Sequence, residues 1–416
     1  MTARSPGLPT VLQVLIILSL VLASVRTAAA QAVGAGPLTE TLTDTAPTSG
    51  VFNWGPVRFA PGLVITELGH DSNVFDEAVD PKEDWVLRAT PDVSVFSALR
   101  FARISLYVGS QLSYFKTYTS ENSAGYEYRG RVDFIASRLQ PFIGGGETSA
   151  RTRPNGEIDT RADQKRQELS GGLAFSLGPH SKVYVAGART RKAFFNAVED
   201  GVDLSESLDQ DGANYSAGVQ TALTPFTTLT VFGAFQEDRF ESATLRDADT
   251  RSVNTSVLIG AQAVISGIIG VSYVDFQPVD PLVEPYRGVE VEAGVIYPFM
   301  EIGWVNFSIN RGIEYSYDES EGYYQELTTA LSYTHRLFGA RDFQVRGSKS
   351  WFDYGFREGT VPRTDTLDAV AAGVGYNLRN RTRISVNYEF AKRRSPAYLE
   401  RNYDRTRIYL SWDYAF

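Results

Sequence analysis

From residue 57 onward, apolar and polar residues alternate one by one along most of the chain. At the C-terminal end, one face of the pattern is formed by Ile408, Leu410, Trp412, Tyr414 and Phe416. A period of two places successive side chains on opposite faces of a β-strand, whereas an amphipathic helix needs a period near 3.6. Because helical periodicity is hard to find anywhere in this region, the pattern predicts an all-β protein.

The alternating segments predict about 18 strands, and a count of 16 is left open. The predicted strands are residues 57–68, 84–97, 101–117, 124–137, 142–152, 164–176, 181–193, 210–223, 226–239, 250–265, 267–276, 286–298, 302–316, 322–335, 341–354, 364–377, 381–393 and 403–416. Pro61 and Pro91 fall inside two of them. Because proline lacks the N–H that a β-ladder requires, we expect bulges there, unless the boundaries differ.

The predicted connections are alternately short and long. The short ones are residues 98–100, 138–141, 177–180, 224–225, 266, 298–301, 336–340 and 378–380, and most of the others are longer and acidic. Short periplasmic turns and longer outer loops are typical of outer-membrane barrels, whose apolar face meets lipid. A soluble sandwich also alternates, but its strands usually have about 5–6 residues. We therefore predict a closed transmembrane antiparallel β-barrel with both ends in the periplasm.

Aromatic residues concentrate near the predicted strand ends. They include Tyr114, Tyr126, Tyr128, Tyr315, Tyr317 and Tyr323. Tyrosine and tryptophan favour the membrane–water interface, which predicts two interface belts. Ordinary β-propensity also enriches aromatic residues and remains the alternative explanation.

Composition excludes several classes of protein. The 416 residues include no Cys, which excludes a disulfide scaffold, thiolate metal sites and cysteine nucleophiles. The net charge is −9, from 40 basic and 49 acidic residues, and no basic block accompanies it. Such a chain is a poor nucleic-acid binder. Length alone would suggest two or three soluble domains, but the continuous alternation indicates one barrel over residues 57–416.

The N-terminus predicts secretion. Arg4 precedes an apolar run at residues 11–23, which is followed by Ala28-Ala29-Ala30. This order describes a signal peptide over residues 1–30, cleaved near Ala30. An uncleaved anchor helix is the alternative, but the run is shorter than the ~20 residues of a membrane span. Residues 31–56 are polar and rich in Pro and Gly, which predicts a periplasmic leader or linker.

Two stretches resemble known outer-membrane proteins. The C-terminal series Ile408, Leu410, Trp412, Tyr414 and Phe416 resembles the insertion signal of Gram-negative bacterial barrels, which implies recognition by the barrel-assembly machinery. After the first strand, Gly69, Asp71, Ser72, Asn73, Val74 and Phe75 form a G-x-D-S-N-V-F stretch. It resembles the opening of the putative beta-barrel porin 2 family. That resemblance covers about residues 51–416 and implies a location in the cell outer membrane, often linked with surface-polysaccharide export.

No catalytic constellation is evident. The three histidines are His70, His180 and His335, and His335 has no Ser, Asp or Asn at a convincing spacing. We therefore expect a protein that is not an enzyme and that needs no cofactor. Asp71, Asn73 and Asp76, with Asp80, Glu83 and Asp84, have the oxygen ligands of a cation site. They lack the glycine and bidentate glutamate of a calcium loop, so we predict a structured outer loop and no metal.

Charged residues mark the predicted inner face of the barrel. The candidates for lumen and selectivity residues are Arg88, Arg129, Arg131, Asp133, Glu290, Glu292, Arg346, Arg383, Glu389, Arg405, Arg407 and Asp413. In a channel such residues set the field; in a filled barrel they pair across strands. A barrel of 16–18 strands is expected to hold water, which favours the pore.

Two functions follow from this pattern. The first is a porin-like channel that passes hydrophilic solutes or assists surface-polysaccharide export. The second is a non-conducting structural or assembly barrel, plugged by residues 31–56, that serves envelope polysaccharide machinery. The expected partners are outer-membrane lipid and lipopolysaccharide, and polysaccharide-export components in the export reading. The ninth outer loop, with Lys392, Arg393, Arg394 and Arg401, is basic. We interpret it as a solvated loop, with binding of an acidic polysaccharide or lipopolysaccharide phosphate as the alternative.

Overall fold

A computed structural model describes residues 52–299, 302–318, 320–378 and 382–415. Eighteen long strands build the barrel: β1 Val57–Asp71, β2 Asp84–Ala98, β3 Ala102–Phe115, β4 Ser123–Phe134, β5 Leu139–Thr152, β6 Ala162–Ser176, β7 Ser181–Phe195, β8 Gln210–Thr224, β9 Thr227–Phe240, β10 Ala248–Ile259, β11 Ser266–Pro278, β12 Tyr286–Phe299, β13 Gly303–Tyr315, β14 Tyr323–Arg336, β15 Arg341–Tyr354, β16 Arg363–Leu378, β17 Thr382–Arg394 and β18 Tyr403–Ala415. The predicted class and the strand count of 18 are confirmed.

The sheet closes on itself. Each strand pairs antiparallel with the next along the chain, and β1 pairs antiparallel with β18 from Gly62–Ala415 to Asp71–Arg407. Closure leaves no sheet edge, which is the condition for crossing lipid with strands, because unpaired backbone groups are costly there. A short strand, Phe52–Trp54, pairs with the start of β1. The predicted signal peptide lies outside the described residues, as does the leader up to residue 51.

The two faces of the sheet differ as the alternation predicts. On neighbouring strands, Val231, Val253 and Val271 are 41%, 60% and 45% exposed, and they point away from the barrel axis. Their sequence neighbours Phe232, Asn254 and Ser272 point inward and are buried. An outward apolar band with a polar interior is the arrangement of a membrane barrel.

A bulge at Thr66 interrupts the alternation of β1. The register to β2 shifts between Ile65 and Glu67, and the register to β18 shifts between Ile65 and Leu68. Because of the extra residue, Glu67 and the residues after it point to the face opposite to the one that strict alternation from Ile65 would give them. The outer part of β1 therefore presents acidic side chains to the interior.

The prediction of bulges at Pro61 and Pro91 is wrong. Pro61 stays in register with Val93. Pro91 falls where the β2–β3 ladder lacks pairs, between Ala89–Leu112 and Asp92–Gly109, and the register does not shift there. A proline removes one N–H donor from a ladder, and a local gap in the pairing accommodates that loss without an inserted residue.

One predicted boundary is wrong by several residues. Strand β10 ends at Ile259 rather than at residue 265, so the turn before β11 spans residues 260–265 instead of residue 266 alone. Within it, the backbone N–H of Ala263 donates to the carbonyl of Gly260, 3.0 Å away. The apolar pair Val264 and Ile265 looks like strand sequence but belongs to the turn.

Nine loops connect the strands at the outer end. We call them L1 to L9: residues 72–83, 116–122, 153–161, 196–209, 241–247, 279–285, 316–322, 355–362 and 395–402. L4 holds the short helix α1, Leu204–Leu208, whose N-cap Asp203 accepts a hydrogen bond from the N–H of Ser205. Among the described residues, no helix has the length and apolar character to cross a membrane.

Candidate functional site: the outer mouth and the lumen

Apolar side chains from loops and strand ends meet inside the outer end of the barrel. We call this group the mouth cluster; its buried members are Ile158, Ala162, Phe194, Ala197, Leu204, Leu208, Phe240, Ala248, Val274, Phe276, Val283, Ile313, Tyr315, Tyr317 and Tyr323. The members come from L3, L4, L6 and L7 and from the outer ends of seven strands. An apolar cluster of this size inside the sheet means that these loops fold inward and narrow the mouth.

The β13–β14 hairpin leans into the mouth. Strands β12 and β13 pair only between Phe299–Gly303 and Val291–Arg311, whereas β13 follows β14 up to Tyr315–Tyr323. Beyond the split, the Tyr315 hydroxyl donates to Oδ2 of Asp238 on β9, 2.8 Å away. The Tyr315 ring also meets the Phe240 ring edge-on, with centroids 4.8 Å apart.

Three tyrosines were therefore misassigned by the sequence pattern. Tyr315, Tyr317 and Tyr323 are buried in the mouth cluster and do not form an interface belt. The reason is the split beside β13, which turns the former outward face of the hairpin toward the interior. Tyr114 and Tyr126, by contrast, lie exposed on the outward face.

The predicted lumen residue Glu290 lies at the split. Its carboxylate accepts a hydrogen bond from the backbone N–H of Ile313, a residue that β12 no longer pairs with. A side chain thus replaces the missing ladder bond at this position.

Loop L3 crosses the mouth and is held from several sides. The Asn155 side chain accepts from the N–H groups of Glu157 and Ile158, at 3.0 and 3.2 Å. At the loop tip, Oε1 of Glu157 accepts from the Ser316 hydroxyl at 2.9 Å, and Oε2 accepts from the N–H of Tyr317 at 3.2 Å. L3 is therefore fastened to L7.

Further contacts tie L3 to the opposite side of the mouth. Asp159 lies 3.2 Å from Nη1 of Arg393 on β17, and Glu157 lies 3.9 Å from Nη1 of Arg401 in L9. The carboxylate of Glu199 in L4 accepts from the N–H groups of Asp159 and Thr160, at 3.0 and 2.9 Å. Burial raises the pKa of Glu157 to about 7, even though Arg401 acts to lower it. Burial likewise raises the pKa of Asp159 to about 7, against the lowering effect of Arg393.

The flanks of L3 contact L1 and L2. Arg153 pairs with Asp76 at 2.8 Å and donates to the carbonyl of Asp159 at 2.7 Å. Arg161 donates to the carbonyl of Val74 at 2.6 Å and lies 3.4 Å from Glu121. L3 thus bonds to L1, L2, L4, L7 and L9, and it forms a strap across the outer mouth.

Below the strap, several of the predicted lumen residues form ion pairs with carboxylates of the inner wall. Arg88 pairs with Glu67, Arg383 with Asp342, Arg131 with Asp133, and Arg407 with Glu67 and Glu389. Asp413 is in register with Arg383. These pairs leave the wall polar, and they fix the positions of the guanidinium groups.

Other predicted lumen residues stay open to water. Arg346 is exposed on the inward face of β15. The Arg129 side chain is 47% exposed, although it lies 3.5 Å from Glu127 and beside the ring of Tyr107. Glu292 is half-buried on β12. The described interior therefore contains accessible charge as well as paired charge.

A model of the family described as "Putative beta-barrel porin 2" matches residues 59–416. The chain belongs to this family. It is a porin-like outer-membrane β-barrel. No curated protein matches the chain.

The chain is also similar to solved structures from Pseudomonas aeruginosa and Acinetobacter baumannii. They include OpdK of Pseudomonas aeruginosa, with 10% identity and a TM-score of 0.47 over 86% of this chain and 99% of that one. OccK2 (OpdF) of the same organism has 12% identity and a TM-score of 0.49, over 86% and 98%. OccAB3 of Acinetobacter baumannii has 10% identity and a TM-score of 0.47, over 86% and 99%.

The porin-2 motif joins the first strand to the last. Asp71 is fully buried and pairs through both carboxylate oxygens with Arg405 on β18. Ser72 exchanges two hydrogen bonds with the backbone of Thr406, at 3.0 and 2.8 Å. Gly69 has no room for a side chain, since a Cβ would lie 2.1 Å from the carbonyl oxygen of Ile408.

The rest of the motif shapes L1. The Asn73 side chain bridges to the carbonyl and N–H of Glu77, at 2.8 and 3.0 Å. Val74 is fully buried with Val86 and Phe115, and the Phe75 ring meets Tyr118 edge-on. The motif therefore builds the closure seam and the loop that receives Arg153 and Arg161.

The acidic residues of L1 have local partners. Asp76 pairs with Arg153 and Arg405, Asp84 accepts from the N–H groups of Thr117 and Tyr118, and Glu83 lies 3.4 Å from His70. Within residues 52–299, 302–318, 320–378 and 382–415, no three His, Asp or Glu side chains are arranged to hold a metal ion.

The interpretation of the ninth loop as solvated is wrong for two residues. Arg393 is 1% exposed and Arg401 is 7% exposed, because both face L3 instead of water. Arg394 stays at the surface and pairs with Asp404 at 2.9 Å. A run of basic residues does not reveal which of them face a buried carboxylate.

The strap residues were missed in the sequence. Glu157, Asp159 and Arg161 stand in a short polar stretch with Pro154 and Gly156, which predicts only a turn. His335, considered as a catalytic residue, lies 2.8 Å from the Tyr333 hydroxyl. Of the insertion signal, Ile408 and Leu410 point outward and are exposed, and Phe416 lies outside the described residues.

Proposed function

We propose that this barrel is a channel for small hydrophilic solutes, with an outer entrance narrowed by L3 and the β13–β14 hairpin. The observation that carries the proposal is the accessible charge of Arg129 and Arg346 on the inner wall of a closed 18-strand sheet. A sheet of this strand number encloses more space than its own side chains fill. Water and small solutes then have a polar path below the strap.

The size limit is set at the outer mouth. The strap and the mouth cluster lie across the entrance, so a solute must pass beside L3 or displace it. This arrangement favours small solutes over a polymer. Nothing in the described residues favours surface-polysaccharide export. The competing hypothesis is the non-conducting barrel, and the following measurement distinguishes it from a channel.

Single-channel recording in planar bilayers tests the proposal. Replacing residues 154–159 with six Gly and Ser residues should raise conductance roughly two-fold or more, because the narrowest section dominates the resistance of a pore. The matched control replaces residues 260–265, six residues in a turn at the other end, and should leave the conductance unchanged. A folded natural chain and a folded L3 variant that both fail to conduct would establish the non-conducting barrel instead.

A further inference from the structure

The outward face carries a group of arginines at the outer end of the barrel between β7 and β13, on five of these seven strands. We call it the outer arginine patch; its members are Arg189, Arg191, Arg239, Arg251, Arg287 and Arg311, and all six are exposed. The charged positions follow directly above the apolar band. On β9, for example, Val231 and Phe235 precede Glu237 and Arg239 along the same face.

The opposite ends of the same strands lack charge on this face. Among the described residues, the outward positions toward the periplasmic side of β7 to β13 are apolar, small or hydroxyl-bearing. Exposed examples are Leu223, Ile269, Tyr297 and Phe299. The same seven strands also have no lysine on the outward face. The asymmetry means that the two membrane surfaces present different chemistry to this part of the barrel.

The arginines form ladder-like rows with carboxylates on neighbouring strands. Arg239 lies 2.6 Å from Asp249, and Arg287 lies 3.0 Å from Asp275. Arg251 stands in register with Asp275 on the next strand. Exposed pairs of this kind contribute little to stability. A guanidinium has five N–H donors, more than a single carboxylate takes up.

We propose that the outer arginine patch binds the phosphate groups of the glycolipid that forms the outer leaflet. Guanidinium binds phosphate with two parallel hydrogen bonds, which explains the use of arginine in place of lysine. The patch lies where the apolar band ends, at the level of lipid head groups, and the carboxylates between the arginines keep their spacing. The proposal does not depend on whether the lumen conducts.

Lipid retention in detergent tests the proposal. The purified barrel is mixed with bisphosphorylated lipid A or with the same lipid after removal of its phosphates, passed over a gel-filtration column, and assayed for glucosamine per barrel. The natural chain should retain at least about five-fold more of the phosphorylated lipid, the factor expected of one arginine–phosphate contact at a membrane surface. The triple variant Arg251→Gln, Arg287→Gln, Arg311→Gln should retain both lipids equally.

The control removes the same charge from the inner face. The variant Arg103→Gln, Arg129→Gln, Arg346→Gln should retain phosphorylated lipid as the natural chain does, because these residues face the lumen. Equal retention of the two lipids by the natural chain would overturn the proposal, as would an undiminished preference in the patch variant. A patch variant that changes the oligomeric state without lipid would instead assign the patch to contacts between copies of the chain.

Discussion

Asp71 and Arg405 form a nearly fully buried ion pair at the seam between β1 and β18. Two charges taken out of water need each other's field and hydrogen bonds, and removal of one leaves the other uncompensated. Asp76 gives Arg405 a second partner, 3.2 Å away. The motif residues that the sequence makes recognisable are thus explained by the energetics of closing a barrel.

Asp71→Ala should lower the free energy of unfolding by about 3 kcal/mol, the lower end of the range for a broken buried pair, because Asp76 remains beside Arg405. Urea unfolding in lipid vesicles, followed by tryptophan fluorescence, measures the change. The matched control is Asp211→Ala, which removes the exposed partner of Arg189 and should cost less than about 1 kcal/mol. Equal losses of unfolding free energy in the two variants would contradict the role of Asp71 in holding β1 to β18.

L3 is the loop whose contacts reach both sides of the outer mouth. Its tip carries two buried carboxyl groups, Glu157 and Asp159, whose pKa values are raised to about 7 when the loop is docked. Released into water, the same groups would titrate near their ordinary values of 4.5 and 3.8. Docking therefore takes up protons at pH values between these two limits, so it weakens progressively as the pH rises from about 4 to about 7 and changes little above pH 7.

Conductance should accordingly rise as the pH increases from about 4.5 to about 7 and level off above pH 7, where the docked carboxyl groups have also lost their protons. Bilayer recordings across this range measure it. The variant Glu157→Gln, Asp159→Asn should show low conductance that no longer responds to pH. Glu206→Gln, at an exposed position of helix α1, should keep the natural response. A pH response that survives the double change would show that other groups control the mouth.

The sequence predicts the strands far better than it predicts the strap. Alternation is a property of neighbours on one strand, so 18 strands can be recognised, most of them to within two residues of their boundaries. The contact of Glu157 with Ser316 joins residues 159 positions apart, and no local pattern encodes it. The inward lean of the β13–β14 hairpin cannot be predicted from the sequence for the same reason. Tyr315 fits an interface belt in the sequence, and only the structure shows that the pairing of β12 with β13 ends before this residue.

At the scale of the whole molecule, the barrel separates two solvents with a wall one residue thick. Adjacent residues on a strand therefore meet opposite environments: Val345 points outward on β15, while Gln344 and Arg346 point inward. A composition with 43% apolar residues, unremarkable for a soluble globule, becomes one apolar face wrapped around a polar interior.

The cost of placing an arginine on each side of this wall should show that one side faces lipid and the other faces water. Val345→Arg should cost about 2–4 kcal/mol of unfolding free energy if it lies near the bilayer midplane, whereas Gln344→Arg should cost less than about 1 kcal/mol. Guanidinium unfolding from lipid vesicles compares the two. Similar costs at the two positions would mean that the lumen wall is as dry as the lipid face.

The seam between β1 and β18 also affects biogenesis. Asp71 and Arg405 are 334 residues apart, so the contacts that seal the cylinder wait for nearly the whole chain to be synthesised. Until β18 arrives, two long rows of backbone donors and acceptors remain open to any other strand. An incomplete chain is thus exposed to mispairing and proteolysis. The risk ends when β18 pairs with β1 and the backbone groups of both strands have partners.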